Sequence, residues 1–287
     1  MRKVFKFVIT IIIITFSVAT QAQAQSPKLE NSLLWEVSGN GLSKPSYLYG
    51  TIHMICSGDY FLSEKTKKAF DASDKLILEI NFSDPKEMSE VQQLAMGKEP
   101  LSKRLSPEEL SKLEGILKKS GGITIQQVDA FSLFTVMSLI SMKSFGCNDL
   151  KFYEMDFIES AKKRNLQIAG LETVKAQFKS FEDAYSDAEM IAMLEETDIE
   201  ETKKLVTDYK LENLEALYKL TTANNVMNAK TKKYLLDDRN LNWVKVLPEI
   251  MKKESVFVAV GAGHLAGDLG VINLLRKAGF TVKPVMN

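Results

Sequence analysis

The chain contains few cysteines and few histidines, and it has no excess of charge of either sign. Its 287 residues include two cysteines and two histidines, and 37 Lys and Arg residues balance 37 Asp and Glu residues. Proteins that bind nucleic acid or an anionic membrane surface usually carry a basic excess. The charge balance therefore argues against both kinds of partner, and we expect no nucleic acid.

The motifs of several common enzyme classes are also absent. The chain has no H-E-x-x-H zinc-protease helix, no G-x-S-x-G nucleophile turn and no Walker A sequence. Gly261, Gly263 and Ala266 match the dinucleotide-binding pattern G-x-G-x-x-A. We reject that interpretation, because too few residues follow to complete a nucleotide-binding unit and no acidic residue lies about 20 positions further on.

One apolar run stands apart from the rest, at residues 7–18. It follows a basic start and precedes Ala22-Gln23-Ala24, a small-residue cleavage pattern, and so predicts a secretory signal peptide over residues 1–24. The run is shorter than the ~20 apolar residues of a membrane span. The mature chain, residues 25–287, is expected to be periplasmic or secreted and to have no transmembrane segment.

The two cysteines, Cys56 and Cys147, allow two interpretations. They form one disulfide, or they are two buried free thiols. Because disulfides persist in exported proteins, the predicted export favours the disulfide.

The order of predicted elements indicates an α/β (α+β) fold. Strands are predicted at residues 31–37, 46–50, 75–80, 166–170, 256–260 and 281–285, and helices at residues 63–73, 126–144, 149–164 and 269–278. We expect one domain over residues 25–287, with a mixed central β-sheet built from segments distant in sequence. Helical insertions are expected at about 84–165 and 186–253, with starts at Asp84-Pro85 and Ser106-Pro107.

Both histidines end similar segments. Residues 47–53 read YLYGTIH and residues 256–264 read VFVAVGAGH, so each apolar run closes in Gly-x-x-His. A single histidine is more often a structural residue than a ligand, but two in matching contexts favour a function. We expect the fold to bring His53 and His264 together, and the likeness suggests a degenerate internal repeat.

Acidic residues follow two other predicted strands. Glu79 ends an apolar strand, where a buried carboxylate is costly unless it is paired or bound to a ligand. Glu172 follows a short strand and can serve a site or merely cap the next helix. Asp156 and Gln177 are further polar residues near these predicted strand ends in the sequence pattern.

Arg239 and Asn240 interrupt a helical pattern and also allow alternatives. Arg239 can stabilise negative charge that develops on a substrate, or form a plain ion pair with Asp237 or Asp238. Asn240 can be a turn residue.

The ends of the predicted strands carry imidazole and carboxylate groups that suit a divalent metal. We expect His53, His264, Glu79 and Glu172 as metal ligands, because sites in open α/β sheets form at the carboxyl ends of strands. A bound metal can produce a nucleophilic hydroxide near neutral pH. Glu79 and Glu172, of which one would act as general base, and Arg239 are the expected catalytic residues.

These motifs together resemble the TraB/GumN family, which is related to the Tiki metalloproteases and more remotely to erythromycin-esterase and ChaN-like proteins. The resemblance rests on the motifs at residues 49–53, 170–177, 238–243 and 260–267, in the order of the family. It implies a compact α/β fold with a helical insertion and a divalent metal such as Mn or Co. It also places His53, His264, Glu79, Glu172 and Arg239 in the site.

Taken together, the sequence predicts an exported metal-dependent hydrolase. The expected reaction is peptide-bond cleavage in a peptide or protein substrate, with Mn, Co or Zn as cofactor. The alternative is a non-catalytic periplasmic protein that binds haem, iron or a protein partner, or a regulator on the same fold. The sequence leaves open whether the chain forms a homo-oligomer.

Overall fold

The structure is a computed structural model that describes residues 29–195, 199–224 and 226–286. The predicted signal peptide, residues 1–24, lies outside the described residues. Within them, no helix is both long enough and apolar enough to cross a membrane.

A six-stranded mixed sheet forms the centre of the domain, as predicted. The strands of the described chain are β1 Leu34–Ser38, β2 Ser46–Thr51, β3 Met54–Cys56, β4 Lys75–Leu78, β5 Leu150–Phe152, β6 Gln167–Gly170, β7 Val256–Gly261 and β8 Thr281–Pro284. The central sheet has the order β6-β4-β7-β2-β1-β8, and β3 pairs with β5 in a separate small sheet. Neighbouring strands of the central sheet therefore come from segments far apart in sequence.

Four adjacent strands of this sheet run in the same direction. β6 and β7 both pair in parallel with β4, and β2 pairs in parallel with β7. Every residue of β7 is buried, which agrees with its uninterrupted apolar sequence. The carboxyl ends of the four strands consequently meet at one edge, where the predicted site residues follow.

Helices surround the sheet, and most of them lie within residues 84–165 and 186–253. They are α1 Glu64–Asp71, α2 Pro85–Ala95, α3 Leu101–Arg104, α4 Pro107–Lys119, α5 Ile125–Val128, α6 Leu133–Ser144, α7 Tyr153–Lys163, α8 Val174–Ala184, α9 Asp187–Glu195, α10 Ile199–Lys210, α11 Leu214–Thr221, α12 Ala229–Lys232, α13 Asp238–Met251 and α14 Val271–Lys277. Both predicted helix starts are confirmed. Asp84 caps α2, and Ser106 and Glu109 form a capping box on α4.

Two predicted helices were wrong in part. The helix predicted at residues 126–144 is divided into α5 and α6, because Ser132 caps α6 and Asp129 turns its carboxylate to the backbone N–H and the hydroxyl of Ser102. The helix predicted at 149–164 begins with β5, whose residues pair with the unpredicted strand β3. Strands of three residues carry too little periodicity to be recognised, so pairing alone reveals them.

Buried apolar side chains form two clusters. One surrounds the central sheet, and the other lies among α3, α4, α5, α6 and α9. Leu235, from the π-helical turn Lys233–Asp237, belongs to the second cluster. This turn therefore connects the helical layer to the start of α13, where Arg239 lies.

The predicted disulfide between Cys56 and Cys147 is present, and it joins two residues that are 91 positions apart in sequence. It lies at the end of the small sheet that joins the segment after His53 to the start of α7. A cross-link of this kind restricts the unfolded chain and so stabilises the folded one.

Replacing both cysteines by serine is expected to lower the free energy of unfolding by about 2–4 kcal/mol. Urea denaturation of Cys56→Ser/Cys147→Ser beside the wild type measures the difference. Dithiothreitol should destabilise the wild type and leave the double variant unchanged. Equal urea midpoints for the two oxidised proteins would contradict the prediction.

Candidate functional site

The carboxyl edge of the parallel strands brings the predicted site residues together. His53 follows β2, Glu79 follows β4, Glu172 follows β6, and His264 ends a 3₁₀ turn, Ala262–His264, that follows β7. Arg239, in the first turn of α13, reaches this edge from the helical side. Residues from five separate segments therefore meet at this edge, beside a recess that His53, Arg239 and His264 line.

His53 presents its imidazole at the mouth of this recess. Its side chain is 57% exposed, and its Nδ1 lies 2.8 Å from Oε1 of Glu154. The Thr51 hydroxyl donates to the same carboxylate oxygen at 2.7 Å. A Cβ atom at Gly261 would lie 3.0 Å from Nε2 of His53, so the ring stands against the glycine of the neighbouring strand.

The carboxylate of Glu154 governs the charge of His53. Burial of the ring edge within the recess would lower the pKa of His53, but attraction and hydrogen bonding to Glu154 outweigh it and raise the pKa to about 9. The imidazole is therefore mostly protonated at neutral pH, with Glu154 as its counter-ion.

Glu79 is a buried carboxylate whose two oxygens both have donors. Oε1 accepts from the backbone N–H of Gly261 at 2.7 Å. Oε2 accepts from Arg239 Nη2 at 2.5 Å and from Gln177 Nε2 at 3.0 Å. Burial alone would raise its pKa, but the Arg239 guanidinium holds the pKa of Glu79 well below its usual range. Glu79 is therefore ionised.

Glu172 binds the same guanidinium from the other side. Arg239 donates to it from Nε at 2.9 Å and from Nη2 at 2.5 Å, and Gln177 donates at 3.2 Å. The following helix is capped by Thr173, which accepts from the Ala176 backbone, so Glu172 is not its cap. Burial, together with the neighbouring carboxylate of Glu79, raises the pKa of Glu172 and outweighs the attraction to Arg239.

Arg239 is buried between the two glutamates and does not form the alternative ion pair. Its Nη1 donates to the carbonyl of Leu235 at 2.9 Å within the π-helical turn, which fixes the guanidinium from behind. Asp237 and Asp238 pair with other partners, namely Lys232 and Lys233.

His264 lies at the floor of the recess as a neutral imidazole. Its Nε2 is 3.1 Å from Arg239 Nη1, and its Nδ1 is 2.6 Å from Asn240 Oδ1. Burial, together with the adjacent guanidinium, lowers the pKa of His264 to about 3. Because Arg239 can only donate, Nε2 accepts from it and Nδ1 carries the proton that binds Asn240.

Asn240 is a helical residue that orients His264, and so the turn interpretation was wrong. Its amide nitrogen donates to the carbonyls of His264 and Leu269, at 3.2 and 2.9 Å. The ring of Trp243 packs against the imidazole with 4.4 Å between centroids. These contacts leave His264 little freedom to move.

Two residues of the site were missed from the sequence. Glu154 reaches His53 through the pairing of β3 with β5, which no local pattern signals. Thr51 is the last residue of β2, two positions before His53, and it contacts both His53 and Glu154. The structure places Asp156, two residues after Glu154, away from the recess, where it pairs with Lys151 at 3.7 Å. Two acids that are two positions apart on a helix point to different sides. The sequence did not indicate whether Glu154 or Asp156 would face His53.

Comparison with known proteins identifies the family of the chain. Residues 33–284 match the TraB/PrgY/gumN family. The chain belongs to this family. Metalloprotease TIKI1 of Danio rerio is 23% identical over 317 residues, which cover 88% of this chain and 63% of that protein. Metalloprotease TIKI2 of Danio rerio is 36% identical over 67 residues, or 23% of this chain and 13% of that protein. The chain thus spans less than two thirds of the length of TIKI1.

The name of these family relatives implies a metal, and the four predicted ligands have suitable donor types. Their arrangement does not suit a metal, because Arg239 binds Glu79, Glu172 and Nε2 of His264. Among residues 29–195, 199–224 and 226–286, no three His, Cys, Asp or Glu side chains are placed to hold an ion. As they lie, these residues do not fit a divalent cation.

The recess of this family member opens into a cavity of about 230 Å³ with mostly apolar walls. His53, Arg239 and His264 line its polar side. Apolar side chains from the helical layer form the opposite walls, namely Phe181, Leu205, Tyr209, Leu217, Met227, Leu235 and Leu236. The cavity therefore pairs one exposed titratable group with a space suited to an apolar group.

Proposed function

We propose that the chain is an exported hydrolase that cleaves peptide bonds in a peptide or protein substrate. The observation that carries the proposal is the exposed imidazole of His53, held by Glu154 at the mouth of an apolar cavity. Family membership and two relatives named metalloproteases support the choice of a peptide bond. Export to the periplasm or the medium rests on the predicted signal peptide.

The reaction assigned to His53 is proton transfer. Cleavage of a peptide bond requires removal of a proton from the attacking water and delivery of one to the departing nitrogen. The neutral fraction of His53 takes the proton of the water at Nε2 and then gives it to that nitrogen. The Nε2 atom of His53 faces the recess and is free of the hydrogen bond that Nδ1 makes to Glu154. Glu154 keeps the ring oriented and stabilises its protonated form, as a carboxylate does for the histidine of other hydrolytic sites.

The buried groups beneath His53 form a rigid cluster in which the charge of Arg239 is compensated by glutamates. Arg239 remains protonated in proteins and is held by Glu79, Glu172 and the Leu235 carbonyl. Because these partners and Nε2 of His264 take up its donors, Arg239 fixes the side chains beneath His53, and we assign it no contact with the substrate. Mn, Co or Zn was the predicted cofactor, but the donors described do not fit a metal and we assign no step to one.

The cavity walls predict a preference for an apolar side chain next to the cleaved bond. A peptide with leucine at that position should be cleaved with a kcat/KM on the order of 10- to 100-fold above that of the same peptide with asparagine, which has a similar shape. Mass spectrometry of a mixed peptide pool, incubated with the purified mature protein, locates the cleavage sites and measures this ratio.

The control for the peptide assay is His53→Asn protein purified in the same way, since a contaminating protease would be present in both preparations. Cleavage by the wild type alone supports the proposed function. Equal cleavage by both proteins, or none by either, would refute it.

Gly261 allows His53 to stand where it does, and it provides a further prediction. A Cβ atom at this position would lie 3.0 Å from His53 Nε2 and 3.4 Å from Glu79 Oε1, so Gly261→Ala must displace the imidazole. The required shift is a few tenths of an ångström, and because small misplacements of a reacting group are costly, we expect kcat to fall by about 10-fold.

The matched control is Gly115→Ala, because a Cβ atom on this α4 residue would meet nothing within 4 Å. It should leave kcat unchanged and stabilise the helix by about 0.5–1 kcal/mol. Full activity of Gly261→Ala would show that His53 has room to act in another position.

A further inference from the structure

Arg239 engages three of the four side chains predicted to hold a metal. It donates to both glutamates, through Nη2 to Glu79 and through Nε and Nη2 to Glu172. Its Nη1 lies 3.1 Å from Nε2 of His264, the nitrogen of that ring that accepts. A metal ion would bind the same carboxylate oxygens and the same imidazole lone pair.

The environment of Arg239 is built to hold a guanidinium. The Leu235 carbonyl accepts from Nη1 at 2.9 Å, and the ring of Trp243 lies 5.0 Å from the guanidinium carbon. Every one of these partners accepts hydrogen bonds or offers an aromatic face, as a buried cation with fixed donors requires.

His264 is also oriented to accept a hydrogen bond from the guanidinium of Arg239. Its Nδ1–H donates to the Asn240 oxygen, and the Asn240 amide is itself fixed by two backbone carbonyls. This arrangement leaves Nε2 as an acceptor directed at Arg239. In metal sites an imidazole is oriented in the same way by a partner on its second nitrogen. The geometry thus serves a cation, and the cation in place is Arg239.

We propose that the Arg239 guanidinium is the resident cation of this site and excludes a divalent metal from it. A metal reaches Glu79, Glu172 and His264 only when Arg239 leaves them. The proposal stands whether or not the chain cleaves peptides, because it concerns occupation of the carboxylates and not turnover.

Metal titration of untagged mature protein tests this exclusion. Wild type, Arg239→Met and Arg239→Met/Glu172→Gln are titrated with MnCl₂ and ZnCl₂ by calorimetry, and their melting temperatures are followed by scanning fluorimetry. Methionine keeps much of the side-chain length of arginine without charge. We expect no stoichiometric binding by the wild type, and one bound Mn²⁺ with a raised melting temperature in Arg239→Met. The double variant should lose both effects.

Two results would overturn the proposal. One is stoichiometric Mn²⁺ or Zn²⁺ binding by the wild type that Glu172→Gln abolishes. The other is Arg239→Met protein that is folded by circular dichroism but binds neither ion. If Arg239→Met does not fold, the wild-type titration with its Glu172→Gln control still decides. Arg239→Lys then supplies the second variant. The single ammonium group of lysine cannot reach Glu79, Glu172 and His264 together, so we expect this variant to bind Mn²⁺ weakly.

Discussion

Replacing His53 by asparagine is expected to lower kcat for peptide hydrolysis by about 10²- to 10⁴-fold, the usual contribution of a general acid–base residue. Asparagine is the appropriate replacement because His53 has a φ of 61°, a left-handed conformation that asparagine tolerates better than alanine. The variant should fold normally, since the side chain is largely exposed. Steady-state kinetics on a cleaved peptide, with urea denaturation beside it, measures both effects.

Glu154→Gln and Asp156→Asn form a matched pair for this prediction. Both remove one carboxylate charge from α7, but Glu154 contacts His53 whereas Asp156 pairs with Lys151 outside the recess. We expect a loss of kcat in Glu154→Gln that is smaller than the loss in His53→Asn, and an unchanged kcat in Asp156→Asn. Equal kinetics in the two α7 variants would show that Glu154 does not act through His53.

Loss of the Arg239 guanidinium should produce the largest change in stability. Arg239→Met leaves Glu79 and Glu172 buried without their counter-ion, and breaking such a buried pair costs about 3–5 kcal/mol. In buffer without divalent metal, urea denaturation followed by tryptophan fluorescence measures this decrease. The expected cause is the uncompensated charge of two carboxylates, and not the lost volume of the side chain.

Two further variants separate charge from packing. Arg104→Met removes a guanidinium that pairs with Asp187 while 36% exposed, and it should cost less than about 1 kcal/mol. Adding Glu79→Gln and Glu172→Gln to Arg239→Met removes the unpaired charges and should recover part of the stability. A loss in the triple variant as large as that in Arg239→Met would assign the effect to packing.

Much of the site was accessible from the sequence because strand ends are visible there. Glu79 and Glu172 each follow a short apolar segment, and both Gly-x-x-His motifs follow predicted strands. Parallel strands end at the same edge of a sheet, so four residues distant in sequence were expected to meet there. The structure places all four at that edge. The internal repeat inferred from the two motifs stays a prediction.

The side chains that contact these site residues could not be predicted from the sequence in the same way. Glu154 reaches His53 because β5 pairs with β3, and both strands are too short to be recognised by periodicity. Arg239 was expected to act in the site or to pair with an adjacent aspartate, and which of these it does depends on the π-helical turn that directs it inward. Local sequence does not encode the direction in which a side chain leaves such a turn.

The sequence by itself determined the family, the mixed sheet and the residues that follow its strands, because apolar periodicity and short motifs are local properties. It favoured the disulfide but left two free thiols open, and the structure shows the bond. Only the tertiary structure decided how the charges are satisfied. Four predicted ligands had the donor types of a metal site, and the fold instead places the guanidinium of Arg239 against three of them. The physical reason is that buried charges are compensated by the nearest fixed counter-charge, whose position depends on packing between distant segments.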